Sequence, residues 1–224
     1  MDYNDKYIFP HPETSDKQGL LVIGGDLSPQ KILQAYSQGI FPWYEPGCPV
    51  LWWSPNPRLI LKPNEFKVSR SLKRSLKKPF RFTVDTAFSQ VITACATYSD
   101  RLHKTWITNE MMESYTTLHH QGYAHSFEVW SGYDLVGGLY GISLGTAFFG
   151  ESMFHTETDT SKIALYFLCE TMKAWKFDFI DCQIPTPHLM SLGAKIISRK
   201  EFLYLLNEAL EKRNKKGPWD MYLD

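Results

Sequence analysis

The chain has 224 residues with 24 Lys plus Arg against 24 Asp plus Glu, a formal charge of zero, and 43% hydrophobic and 15% aromatic content. That length suits one large domain or a domain with a smaller appendage, and the neutral balance excludes a globally basic coat for nucleic acid, so any polyanion site must be local. No run of about 18 apolar residues marks a membrane span, and Met1-Asp2-Tyr3-Asn4-Asp5 lacks the basic and apolar regions of a secretory leader.

Residues 1–18 read as a polar surface arm. Leu20-Leu21-Val22-Ile23 is a short strand ended by Gly24-Gly25. Ser28 and Pro29 open a helix, with Ser28 as the expected cap, and Gly39 stops it. The aromatic, proline-rich stretch from Phe41 to Arg58 forbids a long helix and favours compact extended chain. Residues 1–64 are therefore expected to form a small N-terminal domain and 65–224 a second one. In the second, a basic helix spans about 69–78, followed by a strand at Phe80–Val84. Asp85 is expected to cap a helix reaching Tyr98, and Thr108 one that ends at Gly122. Strands at Ala124–Trp130, Asp134–Ser143 and Thr146–Phe154 are joined by short Gly-bearing links, the mark of antiparallel hairpins. A helix from Ser161 to about Lys176 follows. Then come a strand at Phe179–Gln183, a helical turn near 187–192, a strand at Lys195–Ser198 and a helix at 200–212. A meander followed by βαβ elements makes an α+β fold with a mixed sheet. This order of elements resembles the GNAT (acyl-CoA N-acyltransferase) topology, an analogy that says little about substrate.

Four cysteines (Cys48, Cys95, Cys169, Cys182) are scattered with no C-x-x-C pair, and read as reduced thiols of a cytoplasmic protein. The seven histidines form no H-E-x-x-H pattern, so no metal is expected. Lys67, Arg70, Lys73, Arg74, Lys77, Lys78 and Arg81 are seven basic residues with no acid among them. At i, i+4, i+7 and i+8, Arg70, Arg74, Lys77 and Lys78 share one helix face, while Val68, Leu72 and Leu76 hold the other to the core. A solvated face would have the same spacing. The concentration of charge in an otherwise acidic chain, and the fit of Arg to phosphate, favour an RNA backbone contact. In Phe179-Ile180-Asp181-Cys182-Gln183, strand alternation puts Asp181 and Gln183 on one face. Leaving those polar groups buried without partners would cost about 1–3 kcal/mol each. In Gly150-Glu151-Ser152-Met153-Phe154 the same alternation sets an acid beside a soft apolar surface. Trp43, Trp52, Trp53 and Trp106 offer stacking rings, although at least two are expected to be packing.

These segments together resemble the leucyl/phenylalanyl-tRNA–protein transferase family from Gly19 to about Leu206. The resemblance is carried by Gly24-Gly25-Asp26-Leu27-Ser28, Gly39-Ile40-Phe41-Pro42-Trp43, Leu51-Trp52-Trp53-Ser54-Pro55, Thr105-Trp106-Ile107-Thr108, His125-Ser126-Phe127-Glu128-Val129-Trp130, Gly150-Glu151-Ser152-Met153-Phe154, Asp181-Cys182-Gln183 and Ser191-Leu192-Gly193-Ala194. It implies a GNAT-like C-terminal domain behind a small N-terminal one. It also implies cofactor-free transfer of Leu or Phe, and less well Met, from aminoacyl-tRNA to proteins with N-terminal Arg or Lys, marking them for degradation. Asp181 and Gln183 then match positions that activate the acceptor amine, and Glu151 a substrate-contacting acid. Trp43 and Trp106 match aromatics near the aminoacyl-adenosine, Leu139, Met153 and Leu165 the lining of the side-chain pocket, and Arg70, Arg74, Lys77 and Lys78 the tRNA patch. Thr186 departs from the Asn of better-known relatives, which puts one polar contact to substrate in question. Leu168 and Met172 stand where Phe is frequent, so the pocket contour is expected to differ. A monomer is expected.

The donor ester is already activated, and an α-amino group of pKa about 7.7–8.0 is partly neutral near pH 7.5, so positioning matters more than a strong base. On this reading Asp181 orients Gln183, Gln183 hydrogen-bonds the attacking amine, and Cys182 points away if Asp181 faces the cleft. Asp181 and Glu151 also give a reason for basic acceptors. A coenzyme A acetyltransferase is the rival enzyme. Its pyrophosphate would need a Gly-rich turn, whereas His155-Thr156-Glu157-Thr158-Asp159-Thr160-Ser161 has no glycine and two acids. A non-catalytic RNA-binding module would explain the basic residues but not Asp181-x-Gln183.

Overall fold

The computed structural model describes residues 9–98, 105–219 and 221–223; positions 1–8 of the expected arm lie outside the described residues. Strands β1 (Leu20–Ile23), β2 (Phe41–Pro42) and β3 (Leu51–Trp53) form a small antiparallel sheet in the order β1-β3-β2. Helix α1 (Pro29–Ser37) buries Ile32, Leu33, Ala35 and Tyr36 on one side. Pro29 takes its first turn, but Ser28 makes no side-chain cap. Asp26 organises the turn instead, accepting the Ser28 N–H at 2.8 Å.

The proline-rich stretch ends in β4 (Arg58–Leu61), which enters a second, larger sheet. Its other strands are β5 (Arg81–Val84), β6 (Ala124–Ser131), β7 (Asp134–Leu144), β8 (Ala147–His155), β9 (Phe179–Gln183), β10 (Lys195–Ile197) and β11 (Met221–Leu223). The order is β10-β4-β9-β8-β7-β6-β5-β11, antiparallel except for the β8–β9 pair. The links at 132–133 and 145–146 are too short for anything but hairpins. Helix α5 (Thr160–Ala174) makes the crossover that the parallel pair requires. It lies close to the sheet because Gly137 has no side chain: a Cβ there would sit 2.5 Å from Thr160 Cβ. Thr160 uses that proximity, donating to the Val136 carbonyl at 2.6 Å. The observed architecture is thus α+β with a mixed sheet.

Two clusters of buried apolar side chains flank the sheet. On one side α1, α3 (Phe88–Thr97), α4 (Asn109–His120) and α7 (Arg199–Leu210) bring Tyr36, Val91, Tyr115 and Phe202 together with Trp52, Phe149 and Phe179. The N-terminal Ile32 and Trp52 share this cluster with Phe88 and Phe202. On the other side α5 and α2 (Arg70–Ser75) cover Val129, Phe148 and Ile180 with Leu72, Leu165 and Met172.

Several local expectations are corrected. The basic helix spans six residues, not ten: Lys77 N–H and Lys78 N–H bond back to the carbonyls of Arg74 and Ser75, tightening the chain before Pro79. Lys77 and Lys78 therefore follow the helix. Asp85 does not cap α3. It adopts φ 57°, and its carboxylate takes the N–H groups of Ser126 (3.0 Å) and Trp219 (2.6 Å) and bonds His125 Nδ1 at 2.8 Å. Thr108 does cap α4, accepting the Met111 N–H at 3.2 Å.

Candidate active site

β8 and β9 lie side by side at the centre of the large sheet, and both are irregular where the sequence places chemistry. In the β7–β8 ladder Gly141 opposes Gly150 and Tyr140 opposes Ser152, which leaves Glu151 as an extra, bulged residue. In the β4–β9 ladder Leu59 opposes Gln183 and Ile60 opposes Asp181, leaving Cys182 without an opposite number. A bulge re-aims side chains. Glu151 consequently meets tyrosines from α1 and α4, whereas Met153 packs with the α5 cluster. The shared strand face expected of Glu151 and Met153 does not exist, yet both line one cavity.

That cavity has a volume of about 120 Å³ and is walled by Leu139, Met153, Leu165, Leu168, Ile180 and Leu189, with Glu151 and Gln183 on its polar side. It is comparable with the roughly 150 Å³ apolar cavity that admits a benzene ring. Leu139, Met153 and Leu165, named from sequence, are thus brought together. Leu168 joins them. Met172 is fully buried in the core and is not among the lining residues.

Asp181 is placed differently from a cleft carboxylate. Its side chain is fully buried and paired with Arg58 of β4, Nε to Oδ1 at 2.9 Å and Nη2 to Oδ2 at 2.6 Å. The guanidinium is held between the rings of Phe41 (4.8 Å to the centroid) and Phe202 (4.4 Å). The bidentate fork fixes the carboxylate in plane, and such a pair tolerates burial only when well bonded. Asp181 Oδ1 also accepts the Gln183 N–H at 2.9 Å, at a residue with φ 61°. Left-handed backbone is disfavoured for a non-glycine residue, so this bond holds a strained turn at the cavity mouth. The opposite strand face, with Ile180 and Cys182, is the one that opens on the cavity, contrary to the orientation under which Cys182 would point away. Cys182 is nonetheless unsuited to act as a nucleophile, because burial and the nearby Asp181 push its thiol far above the usual range.

Glu151 is the most connected polar group. Tyr36 donates to its Oε1 at 2.5 Å and Tyr115 to its Oε2 at 3.1 Å, the two hydroxyls being 2.9 Å apart. Gln183 Nε2 donates to Oε1 at 3.1 Å, which leaves the amide oxygen of Gln183 as its accepting end. Burial, with Asp181 adding to it, raises the Glu151 carboxyl to about 7 against the tyrosine bonds and Arg58. Both tyrosines are pushed well above their usual range, chiefly by burial, and remain donors.

The other sequence-named residues sit around this centre. Trp43 is 43% exposed beside Trp53, while Trp106 is partly buried against the first cluster; neither lines the cavity. Trp52 is wholly buried and donates to the Gly24 carbonyl at 3.0 Å, a packing role. Thr186 caps α6 (Pro187–Ser191), accepting the Leu189 N–H at 3.2 Å, so its hydroxyl is committed to the chain. Lys67, Arg70, Lys73, Arg74, Lys77, Lys78 and Arg81 are all exposed, and among the described residues none is ion-paired with an acid. Leu72 is fully buried beneath them, with Val68 and Leu76 packed alongside. At the start of α5, Asp159 is held by Lys162 (2.7 Å) and Ser75 (2.9 Å), so this helix N-terminus carries a carboxylate, which would repel a phosphate there. Among the described residues no three His, Cys, Asp or Glu side chains converge as metal ligands, and no helix is long and apolar enough to cross a membrane. Arg58, Tyr36 and Tyr115 were not singled out from sequence. Tyr36 and Tyr115 stand among polar neighbours on their helices and Arg58 at the head of Leu59-Ile60-Leu61, so no local pattern marks any of the three.

Two family models match the chain, "Leucyl/phenylalanyl-tRNA protein transferase" over residues 60–207 and its N-terminal domain over 25–56. A leucyl/phenylalanyl-tRNA–protein transferase of Legionella pneumophila (strain Corby) is 73% identical over 221 residues, covering 99% of this chain and 100% of the relative. Proteins of the same name from Desulforapulum autotrophicum (52% identical; 96% and 95% covered) and Lawsonia intracellularis (53%; 92% and 92%) also match. A functionally unknown conserved protein of Staphylococcus epidermidis ATCC 12228 aligns with TM-score 0.43 at 9% identity, over 80% of this chain and 68% of its own, too slight a likeness to bear on fold or function.

Proposed function

Because the chain belongs to the leucyl/phenylalanyl-tRNA–protein transferase family, and so is an aminoacyltransferase that moves Leu or Phe from aminoacyl-tRNA to proteins, we propose that the cavity between β7, β8, α5 and α6 seats the Leu or Phe side chain. The observation that carries this reading is an apolar chamber of about 120 Å³ with one polar wall, Glu151 and Gln183. An apolar side chain enters the chamber and leaves its ester carbonyl at that wall, where the free amide oxygen of Gln183 accepts a hydrogen from the incoming α-amine. Asp181 acts from behind as a positioning residue, fixing the Gln183 turn through its N–H while Arg58 holds the carboxylate. The exposed strip from Lys67 to Arg81 binds the tRNA backbone, and Trp43 and Trp106 flank the terminal adenosine. Glu151 supplies negative potential that favours acceptors beginning with Arg or Lys. The chain divides at about residue 64 into a small N-terminal domain and a GNAT-like one, a reading supported by the β8–α5–β9 parallel crossover, and works as a cytoplasmic monomer.

Radiolabelled Leu and Phe transfer from charged tRNA to Arg-, Lys- and Ala-started peptides tests the reading. Labelled product with the first two and none with Ala is the expected result. Intact aminoacyl-tRNA in the presence of the Arg peptide would rule it out.

A further inference from the structure

Forming the new peptide bond requires one proton to move. The amine nitrogen bonds to the ester carbonyl carbon and becomes cationic; the carbon–oxygen bond to the ribose then breaks and leaves an alkoxide. The proton lost by nitrogen is the one the ribose oxygen needs, so a single group that accepts it and returns it balances the reaction without any co-reactant. We propose that Glu151 is this group, a proton shuttle in the transfer step, and that Tyr36 and Tyr115 are the positioning residues that set its carboxylate. The inference rests on the transferase reading and goes beyond it, since substrate contact alone would not require Glu151 to titrate.

The alternatives in the site are eliminated one by one. Gln183 is a carboxamide and takes up no proton near neutral pH; its Nε2 is committed to Glu151 and its oxygen can orient an amine but not carry its proton. Asp181 is fully buried, with Arg58 on both oxygens and the Gln183 N–H on one. Cys182 is a partly buried thiol that burial and Asp181 keep protonated. Tyr36 and Tyr115, buried and facing a carboxylate, stay protonated. Glu151 alone is an acid on the cavity wall. The bulge on β8 aims it at a three-donor cradle made by Tyr36 of α1, Tyr115 of α4 and Gln183 of β9. The charged and titratable groups facing it from neighbouring elements are these two tyrosines, Tyr140 of β7 beside Tyr115, Asp181 of β9 and Arg58 of β4. Burial brings its carboxyl to about 7, so near neutrality it is ready both to take a proton and to give it back.

The tyrosines therefore have a role that packing does not explain. Their hydroxyls stabilise the carboxylate form, so removing one raises the carboxyl further and moves the acidic limb of the rate profile to higher pH. The test is the pH dependence of kcat for Leu transfer from charged tRNA to an Arg-started peptide, for the full chain and for Glu151→Gln, Tyr115→Phe and Tyr36→Phe. Titration of the acceptor amine is common to all four, so differences between profiles belong to the enzyme. Glu151→Gln is expected to lower kcat about 100-fold or more, within the usual range for general acid–base groups, with KM for tRNA little changed. Tyr115→Phe and Tyr36→Phe are expected to move the acidic limb upward, a shift that does not depend on how much of each variant is folded. A kcat for Glu151→Gln within about threefold of the parent, or tyrosine variants whose limb coincides with the parent's, would overturn the shuttle while leaving the transferase reading in place. A parent protein that makes no product would overturn both.

Discussion

The Arg58–Asp181 pair and the strip from Lys67 to Arg81 use charge in opposite ways. The pair is sealed at zero exposure, its guanidinium packed on the rings of Phe41 and Phe202. The strip stands in water over Leu72 with no acid to pair with among the described residues. Desolvation explains the difference. A buried charge must be fully bonded and so becomes a rigid part of the frame, whereas an exposed one costs the fold little and stays available to a polyanion. Geometry at the cavity mouth depends on the first region, and under the proposed function affinity for tRNA depends on the second.

The largest effect should come from breaking the pair. Asp181→Asn leaves the Arg58 charge buried without its counter-ion, and urea denaturation should show a loss of about 3–5 kcal/mol. Replacing both members, Arg58→Met with Asp181→Leu, should recover much of that stability. Transfer should not recover, because the Gln183 turn loses its carboxylate anchor. A fully active double variant would separate the frame from the site. Next in size is cavity shape: Leu168→Phe narrows the chamber and should lower Phe transfer relative to Leu by roughly tenfold, the scale of a small steric change in an apolar pocket. The exposed strip should behave otherwise. Lys77→Ala should leave stability within about 0.5 kcal/mol and flatten the salt dependence of tRNA binding by about one log–log unit, measured by filter binding across salt concentrations. A pH-dependent effect concerns Glu151. Its folded-state carboxyl lies above the unfolded value of 4.5, so the fold carries no penalty below that pH and a full one above about 7. Glu151→Gln should therefore raise the melting temperature more at pH 8 than at pH 5, as read by calorimetry at the two pH values.

The secondary structure was legible to the extent that neighbours along the chain set it. The hairpins β6–β7–β8 follow from short links, and the cap of α4 from Thr108. Asp85 misled because a carboxylate before a helical stretch looks the same whether it serves the helix or, as here, receives N–H groups from Ser126 and Trp219. Strand β11 was missed: Met221–Leu223 is three residues long, and only its pairing with β5 makes it a strand. Glu151 was read by simple alternation, which a bulge cancels; the extra residue leaves no period of its own to detect.

The sequence by itself determined the order of strands and helices from β5 to α7 and the basic strip, since periodicity and composition are local properties of a chain, whereas Leu139, Met153 and Leu165 came as pocket positions from the resemblance to the family. Only the tertiary structure decided which buried polar groups meet. Arg58 finds Asp181 across 123 positions, and Tyr36 reaches Glu151 across 115. Burial makes a partner obligatory for each such group, but the cost of being left alone is the same whoever the partner is, so nothing in the neighbouring residues names it.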